Sequence, residues 1–359
     1  MDIFSSPEPE KTRVHPKTHQ TMVTLKELAT ILNLSPSTIS KSLNDSPEIS
    51  FETKRKVRKL AKNHGYIPNY SARSLKLKRT KNIGVVIPNI LDEFFAMVLQ
   101  GIEKEANKQG YNVMICISDD LTKKEEGGLN TFTSGRVDGI LISLASQTQF
   151  NGSYGHLKKK LGAKVPMVLF DRISKELDCD KVSVDDFKAA CMATEYLVQT
   201  GCKNIAFLST ISKTSVGRQR EEGYRSIIRL SGEQLFKPQV IRISDYDSFA
   251  TTLKEHLREY PVDAILAADE RSAVCAMNMV QRQGYSIPDD ISFIGFTDGS
   301  MGRYSNPPLT SVSQHAEDMG TMAVRSLIDR LEEFNTGKPT HQLVRTELVV
   351  RESTRPLVD

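Results

Sequence analysis

The feature that most limits what this chain can fold into is a succession of short apolar runs after Lys81. They read "NIGVVIPN", "YNVMICIS", "DGILISLA", "VPMVLFD", "NIAFLST", "QVIRIS", "DAILAADE" and "ISFIGFTD". Longer stretches with helical spacing separate them. Continuous Val/Ile/Leu runs alternating with helices are the pattern of parallel sheets covered on both faces. Glycines follow the helical stretches in "KQGYNV", "QTGCKNI" and "RQGYSIP", where they fit C-terminal caps. Residues 81–359 are too many for one comfortable open sheet, so two such lobes are expected. No apolar run approaches the roughly 18 residues of a membrane span.

The part before Lys81 is of a different kind. Residues 1–82 carry 16 Lys/Arg against 7 Asp/Glu, whereas the rest carries 32 against 37. A basic head on a mildly acidic body points to a polyanion partner for the head, and nucleic acid is favoured over a solubilising surface. Residues 1–22 are polar and proline-bearing and read as a disordered leader, with Met22 as an alternative start; they lack the apolar core of a signal peptide. The five cysteines are far apart and form no C-x-x-C pair, which argues against a disulfide framework or a zinc site and for reduced thiols in the cytoplasm.

"TLKELATIL" opens with Thr24 and has Glu27 three residues on, a capping box, and Asn33 can end the helix in the left-handed region. "SPSTISKSLN" restarts at once, with Ser35 as N-cap and Pro36 at the first helical position. A third helix from about Phe51 to His64 turns Val57, Leu60 and Ala61 inward and exposes "KRKVRK". Two helices joined by about three residues form a helix-turn-helix. Its second helix carries Ser37, Thr38 and Lys41 opposite Ile39 and Leu43, where side chains reach base edges. "NYSARSLKLKR" then has helical spacing, yet it is too short and too cationic to fold alone in water. Nothing local would bury its Leu75.

In the body, polar residues gather at strand carboxyl ends, where open α/β sheets bind ligands. They are Asn89, Asp171, Arg172, Asp185, Asp269, Thr297 and Asp298, with Arg220 near a helix start and Phe94 and Phe95 as an apolar wall. Together they suit a neutral polyhydroxy or heterocyclic solute. Each has a plainer reading: Asp185 and Asp269 as helix caps, Asp171 and Arg172 as an internal ion pair, and Phe95 as core.

The stretch from "TLKELATILNLSPSTIS" through "GYIPN" to "ARSLK" resembles the headpiece of LacI/GalR-type bacterial transcription regulators, and the resemblance runs to about Arg355. It implies an all-α helix-turn-helix headpiece (23–68), a hinge helix and linker (69–80) and a two-lobed α/β effector domain similar to periplasmic sugar-binding proteins (81–359). The lobes would be joined by three crossovers, the N-lobe being about 81–183 with 313–341 and the C-lobe about 184–312 with 342–359. DNA contacts would come from Thr24, Ser35, Ser37, Thr38, Ser40, Lys41, Asn44 and Tyr66, and from Asn69, Ala72, Arg73, Leu75 and Lys76 of a hinge helix that folds when two copies meet on operator DNA. Leu75 would wedge into the central base step. The family's "NPFF" is Asp92-Glu93-Phe94-Phe95 here, and its "R-x-x-G-Y" is intact at Arg220–Tyr224. Its effector-contacting Asp after "GF" is Thr297, with Asp298 next and open as a substitute. Tyr246 stands where some members present an aromatic ring to ligand. The ending soon after "TELVVRESTRP", without a leucine-heptad tail, implies a dimer.

No G-x-S-x-G, P-loop, H-E-x-x-H or G-x-G-x-x-G is present, so an enzyme is not expected, and neither a metal nor another cofactor is called for. A transport receptor would need an export signal and no helix-turn-helix. The expected protein is a cytoplasmic, nucleoid-associated, homodimeric repressor. Its partners would be palindromic double-stranded operator DNA and a small effector, a sugar or sugar derivative. A protein corepressor in place of the small effector is the alternative, followed by a solute-binding protein without a DNA role.

Overall fold

The structure, a computed structural model, describes residues 23–66, 79–162, 165–230 and 237–357. The leader and the hinge residues Asn69, Ala72, Arg73, Leu75 and Lys76 lie outside the described residues. Headpiece and body are separate units.

In the headpiece, α1 (Leu25–Leu32), α2 (Pro36–Leu43) and α3 (Phe51–Asn63) form where the caps place them. The Thr24 backbone N–H donates to Glu27 Oε2 at 2.6 Å, and Thr24 Oγ1 accepts from the Glu27 N–H at 3.3 Å. Asn33 closes α1 at φ 50°. Ser35 and Ser50 cap α2 and α3. The three helices bury Leu28, Ala29, Ile39, Val57 and Ala61 against one another, with Leu60 at the margin.

The body contains two six-stranded sheets. The N-lobe strands are β1 (Asn82–Ile87), β2 (Asn112–Ile117), β3 (Gly139–Ile142), β4 (Met167–Phe170), β5 (Asp180–Ser183) and β11 (His341–Leu343), ordered β11-β5-β4-β3-β1-β2. The C-lobe strands are β6 (Ile205–Ser209), β7 (Gln239–Arg242), β8 (Ala264–Ala267), β9 (Ser292–Thr297), β10 (Thr310–Ser313) and β12 (Glu347–Val349), ordered β12-β10-β9-β8-β6-β7. Every pairing is parallel except β10 with β12. Central strands such as β3, β4, β8 and β9 are buried along their whole length, which is why they read as unbroken apolar runs.

The N-lobe helices are α4 (Glu93–Lys108), α5 (Thr122–Thr133), α6 (Ser146–Asn151), α7 (Gly155–Gly162) and, arriving late in sequence, α13 (Ala316–Leu331). Those of the C-lobe are α8 (Asp186–Gln199), α9 (Ser215–Leu230), α10 (Phe249–Glu259), α11 (Glu270–Arg282) and α12 (Ser300–Arg303). Gly110, Gly201 and Gly284 end their helices at positive φ. Helices α4 and α13 cross at two glycines: a Cβ on Gly101 would lie 2.0 Å from the Glu317 carbonyl oxygen, and one on Gly320 2.2 Å from that of Val98. The chain passes between lobes after β5, after β10 and between β11 and β12. The last two crossings fall a residue or two beyond the boundaries drawn from the sequence, because Ser313 still pairs in the C-lobe sheet and Leu343 in the N-lobe sheet.

Candidate functional site: a recognition helix and an interlobe cleft

On α2, Ile39 and Ser42 face inward, while Ser37, Lys41 and Asn44 fall four and three residues apart on the open face. Several of the other expected contact residues are first of all structural. Thr24 belongs to the capping box. Ser35 Oγ accepts from the Thr38 N–H at 3.1 Å and lies 2.8 Å from Thr38 Oγ1. Asn44 Nδ2 donates to the Ser40 carbonyl at 2.9 Å. Tyr66 packs on the headpiece core, and burial pushes its phenol up. Lys41 is paired with Glu48 on the surface. On α3, Lys54 and Arg58 converge on Asp45 at 3.1 and 2.9 Å and hold its carboxyl below the usual range. Arg55, Lys59 and Lys62 remain exposed.

Because the strands are parallel, their carboxyl ends line one edge of each sheet, and the two edges face each other across a cleft. A side opening of about 520 Å³ is lined by Asp119, Asp120, Gln147 and Phe150 from one lobe and by Thr210, Lys213 and Ser244 from the other. Two polar contacts bridge the lobes. Gln149 exchanges a pair of 2.9 Å hydrogen bonds with the N–H and hydroxyl of Ser215. Glu93 accepts from the Ser300 N–H at 2.7 Å and hydroxyl at 3.1 Å, and from the Met301 N–H at 3.4 Å.

Asp171, Arg172 and Arg220 come together within electrostatic reach of Asp92, Asp186 and Asp269. Arg220 does not offer its fork to the opening as the sequence suggested. It is 3% exposed, donates from Nε to Asp186 Oδ1 at 2.8 Å and from Nη1 to the Ala268 carbonyl at 2.6 Å, keeps Nη2 in ion-pair contact with Asp186 Oδ1 at 2.8 Å, and lies 3.9 Å over the Phe296 ring. All three of its nitrogens face protein acceptors, so little of the fork is left for a ligand. Arg172 pairs with Asp120 more closely than with Asp171, which lies 3.9 Å away.

Other expectations are corrected by packing. Phe94 and Phe95 are 6% and 1% exposed and pack edge-to-face at 5.3 Å in the N-lobe core, so neither forms an apolar wall. Asn89 Oδ1 accepts from the Leu91 N–H in a local turn. Asp185 caps α8, accepting from the Lys188 N–H at 3.0 Å. Asp269 caps α11 and accepts from Thr210 Oγ1 at 2.7 Å. Tyr246 stacks on Phe249 and has the Arg271 guanidinium 4.0 Å from its ring centre, so much of the ring is already engaged within the protein. Asp298 is drawn into ion pairs with Arg351 at 2.6 Å and Arg303 at 3.2 Å. Thr297 is held at φ 112°, a costly conformation for a β-branched residue. Its hydroxyl lies 3.4 Å from the Gln314 side-chain oxygen, and the buried Gln314 Nε2 has no protein partner.

Sequence reasoning missed Asp120, Asp186, Glu93, Gln149 and Gln314. The strand-end rule that found Asp171 would also have found Asp120, whereas Gln314 follows β10, whose "TSVS" carries no apolar run to read.

Burial pushes the carboxyls of Asp171 and Glu270 up to about 7, with Asp186 and Asp92 adding to the first and Glu93 and Asp298 to the second. A raised carboxyl favours the fold when protonated, so its contribution is whole below the unfolded value near 4.5 and is lost as pH rises through about 7. For Glu270 that loss is about 3 kcal/mol. The melting temperature of the full-length protein's body is therefore expected to fall from pH 5.5 to 8. Glu270→Gln, which still accepts from the Gly302 N–H, should flatten part of that slope. Identical slopes in the two proteins would contradict this assignment.

A helix-turn-helix head on a two-lobed, solute-binding type of body defines a DNA-binding transcriptional regulator. Residues 24–69 match the family described as "Bacterial regulatory proteins, lacI family", and residues 194–354 match the "Periplasmic binding protein-like domain". The chain belongs to the LacI family of bacterial transcriptional regulators. It is 30% identical to the ribose operon repressor of Haemophilus influenzae, over 92% of this chain and 98% of that one. It is 28% identical to the transcriptional repressor CytR of Escherichia coli, over 95% and 99%. Among solved structures, the regulator CelR in complex with cellobiose is 25% identical over 92% and 99%, with a TM-score of 0.67. The lac repressor dimer on its operator, at 23% identity over 93% and 99% and a TM-score of 0.81, shares the fold.

Proposed function

We propose that the protein is a cytoplasmic, homodimeric repressor that reads a palindromic operator with paired headpieces. A small molecule bound between the lobes of the body would set its operator affinity. The observation that carries this reading is the open Ser37–Lys41–Asn44 face of α2 in a chain whose body has a polar cleft with bridging contacts at its rim. A sugar or sugar derivative is the favoured effector: CelR binds cellobiose, and the two buried arginines, Arg172 and Arg220, are already paired with Asp120 and Asp186, which suits an uncharged polyol. Thr297, Asp171, Arg172 and the unbonded N–H groups of Arg220 are its proposed contacts. Leu75 is proposed to enter the central base step and Ala72 to let the hinge helices approach. The absence of enzymatic activity and association with the nucleoid belong to the same reading.

The test is a duplex selected from a random pool by the full-length protein. Lys41 must leave the surface carboxylate of Glu48 to reach a base edge, an exchange with little cost. Lys41→Ala should weaken the selected duplex by about 1–3 kcal/mol and relax preference at one position of each half-site. Equal weakening of every sequence variant would place Lys41 on phosphate, and failure to select any duplex would remove the regulator reading altogether.

A further inference from the structure

Residues 79–81 are the first described residues after the stretch that joins headpiece to body, and they are held from two sides. Thr80 donates from N–H and hydroxyl to Asp138 Oδ1 at 2.6 and 2.8 Å, and the Lys81 N–H donates to Asp138 Oδ2 at 2.8 Å. Lys81 itself turns through φ 55° before β1 begins. On the other side stands Glu332, the residue that ends α13. Its carboxylate accepts from Arg79 Nη1 at 2.6 Å, Lys81 Nζ at 3.1 Å and the Tyr111 hydroxyl at 2.9 Å. Arg79 Nη2 also donates to the Leu331 carbonyl at 2.7 Å, and Lys81 Nζ sits 4.1 Å over the Tyr111 ring.

A glutamate at a helix C-terminus faces the negative end of the helix dipole and is unfavourable there unless cations cover it. Here two cations do, and both come from the root of the DNA-binding linker. One of them also satisfies a terminal carbonyl that the helix leaves open. These bonds draw the Glu332 carboxyl down to about 2, so it stays ionised across the physiological range.

The other end of the same helix lies at the second lobe crossover, where His315 (φ 46°) precedes Ala316. Sixteen helical residues span about 24 Å. The glycine crossing packs α13 directly on the α4 backbone between these two ends.

We propose that Glu332 is a positioning residue that clamps the root of the DNA-binding linker to the body, with α13 linking the lobe crossover to that clamp. The proposal rests on the regulator reading for its consequence, but the clamp itself can be tested without DNA. In the full-length protein, Glu332→Gln and Glu332→Ala should raise amide exchange at residues 79–82 at least tenfold while the body's melting temperature stays put. Affinity for a duplex selected by the wild-type protein should drop about tenfold, within the range of ordinary coupling between sites. Glu332→Asp, which keeps the charge, should recover most of both effects. Full protection of residues 79–82 in Glu332→Ala would overturn the clamp. Unchanged duplex affinity with a loosened root would overturn its role in DNA binding, and so would an earlier-melting body, which would make Glu332 merely structural. A wild-type protein that selects no duplex would remove the regulator reading and leave amide exchange to decide the clamp.

Discussion

Replacing Arg220 by alanine is expected to cost the body about 3–5 kcal/mol, because Asp186 would remain buried without its cation. The pair joins α8 to α9, and the bond to the Ala268 carbonyl adds the end of β8, so one side chain ties three elements together. The double variant Arg220→Met with Asp186→Asn should recover much of the loss, since it removes both charges rather than one. Arg220→Lys should behave like a weaker form of the alanine variant, because a lysine cannot donate to a carboxylate and a carbonyl as a planar fork does. The measurement is urea unfolding of the full-length protein, following the body's transition. A wild-type midpoint for Arg220→Ala would mean that the guanidinium serves the ligand alone.

Operator affinity should fall about a thousandfold between 50 and 200 mM salt if a dimer neutralises roughly six phosphates. The headpiece does not spend its cations evenly. Arg55, Lys59 and Lys62 are exposed, whereas Lys54 and Arg58 share Asp45, and Lys56 is paired with Glu52 at 2.9 Å. A cation that leaves a carboxylate for a phosphate frees a counterion from DNA but gives up a partner. The slope counts the phosphates neutralised, so it should remain well below the total Lys/Arg count. Titrating the selected duplex by anisotropy at several salt concentrations measures it, and a flat dependence is incompatible with phosphate contacts by this face.

How much of this was legible beforehand depends on the range of the interaction. The caps of α1 and α2 are local, and Thr24, Glu27, Asn33 and Ser35 announce them. The central strands announce themselves through burial on both faces. Strands β11 and β12 have three residues each and are partly exposed, so they carry no apolar run to detect. Within the cleft, the strand-end rule brings out acids but cannot tell a cap from a ligand. Asp185 proved to be the cap and Asp186, its neighbour, the buried partner of Arg220. Glu93 meets Ser300 across 207 residues, a contact for which no local pattern exists. Phe94 and Phe95 were ambiguous for the same reason, since only the packing of α4 decides which side of the helix is covered.

The crossovers also dictate the order in which the two lobes can be finished during synthesis. A ribosome releases this chain from its N-terminus, and domains commonly fold as they emerge. The first lobe cannot do so here. Its core includes Met319, Ala323, Val324 and Leu327 of α13, packed with Ile83, Val85 and Leu141, and its sheet is completed by β11. The second lobe's central strands are all made before those pieces exist. The nascent N-lobe therefore waits, with one face of its sheet covered by α4 alone, for more than a hundred residues of intervening chain. A chain cut short at residue 315 would carry every described C-lobe strand but β12, while its N-lobe lacked both α13 and β11, so the earlier lobe would be the less complete one.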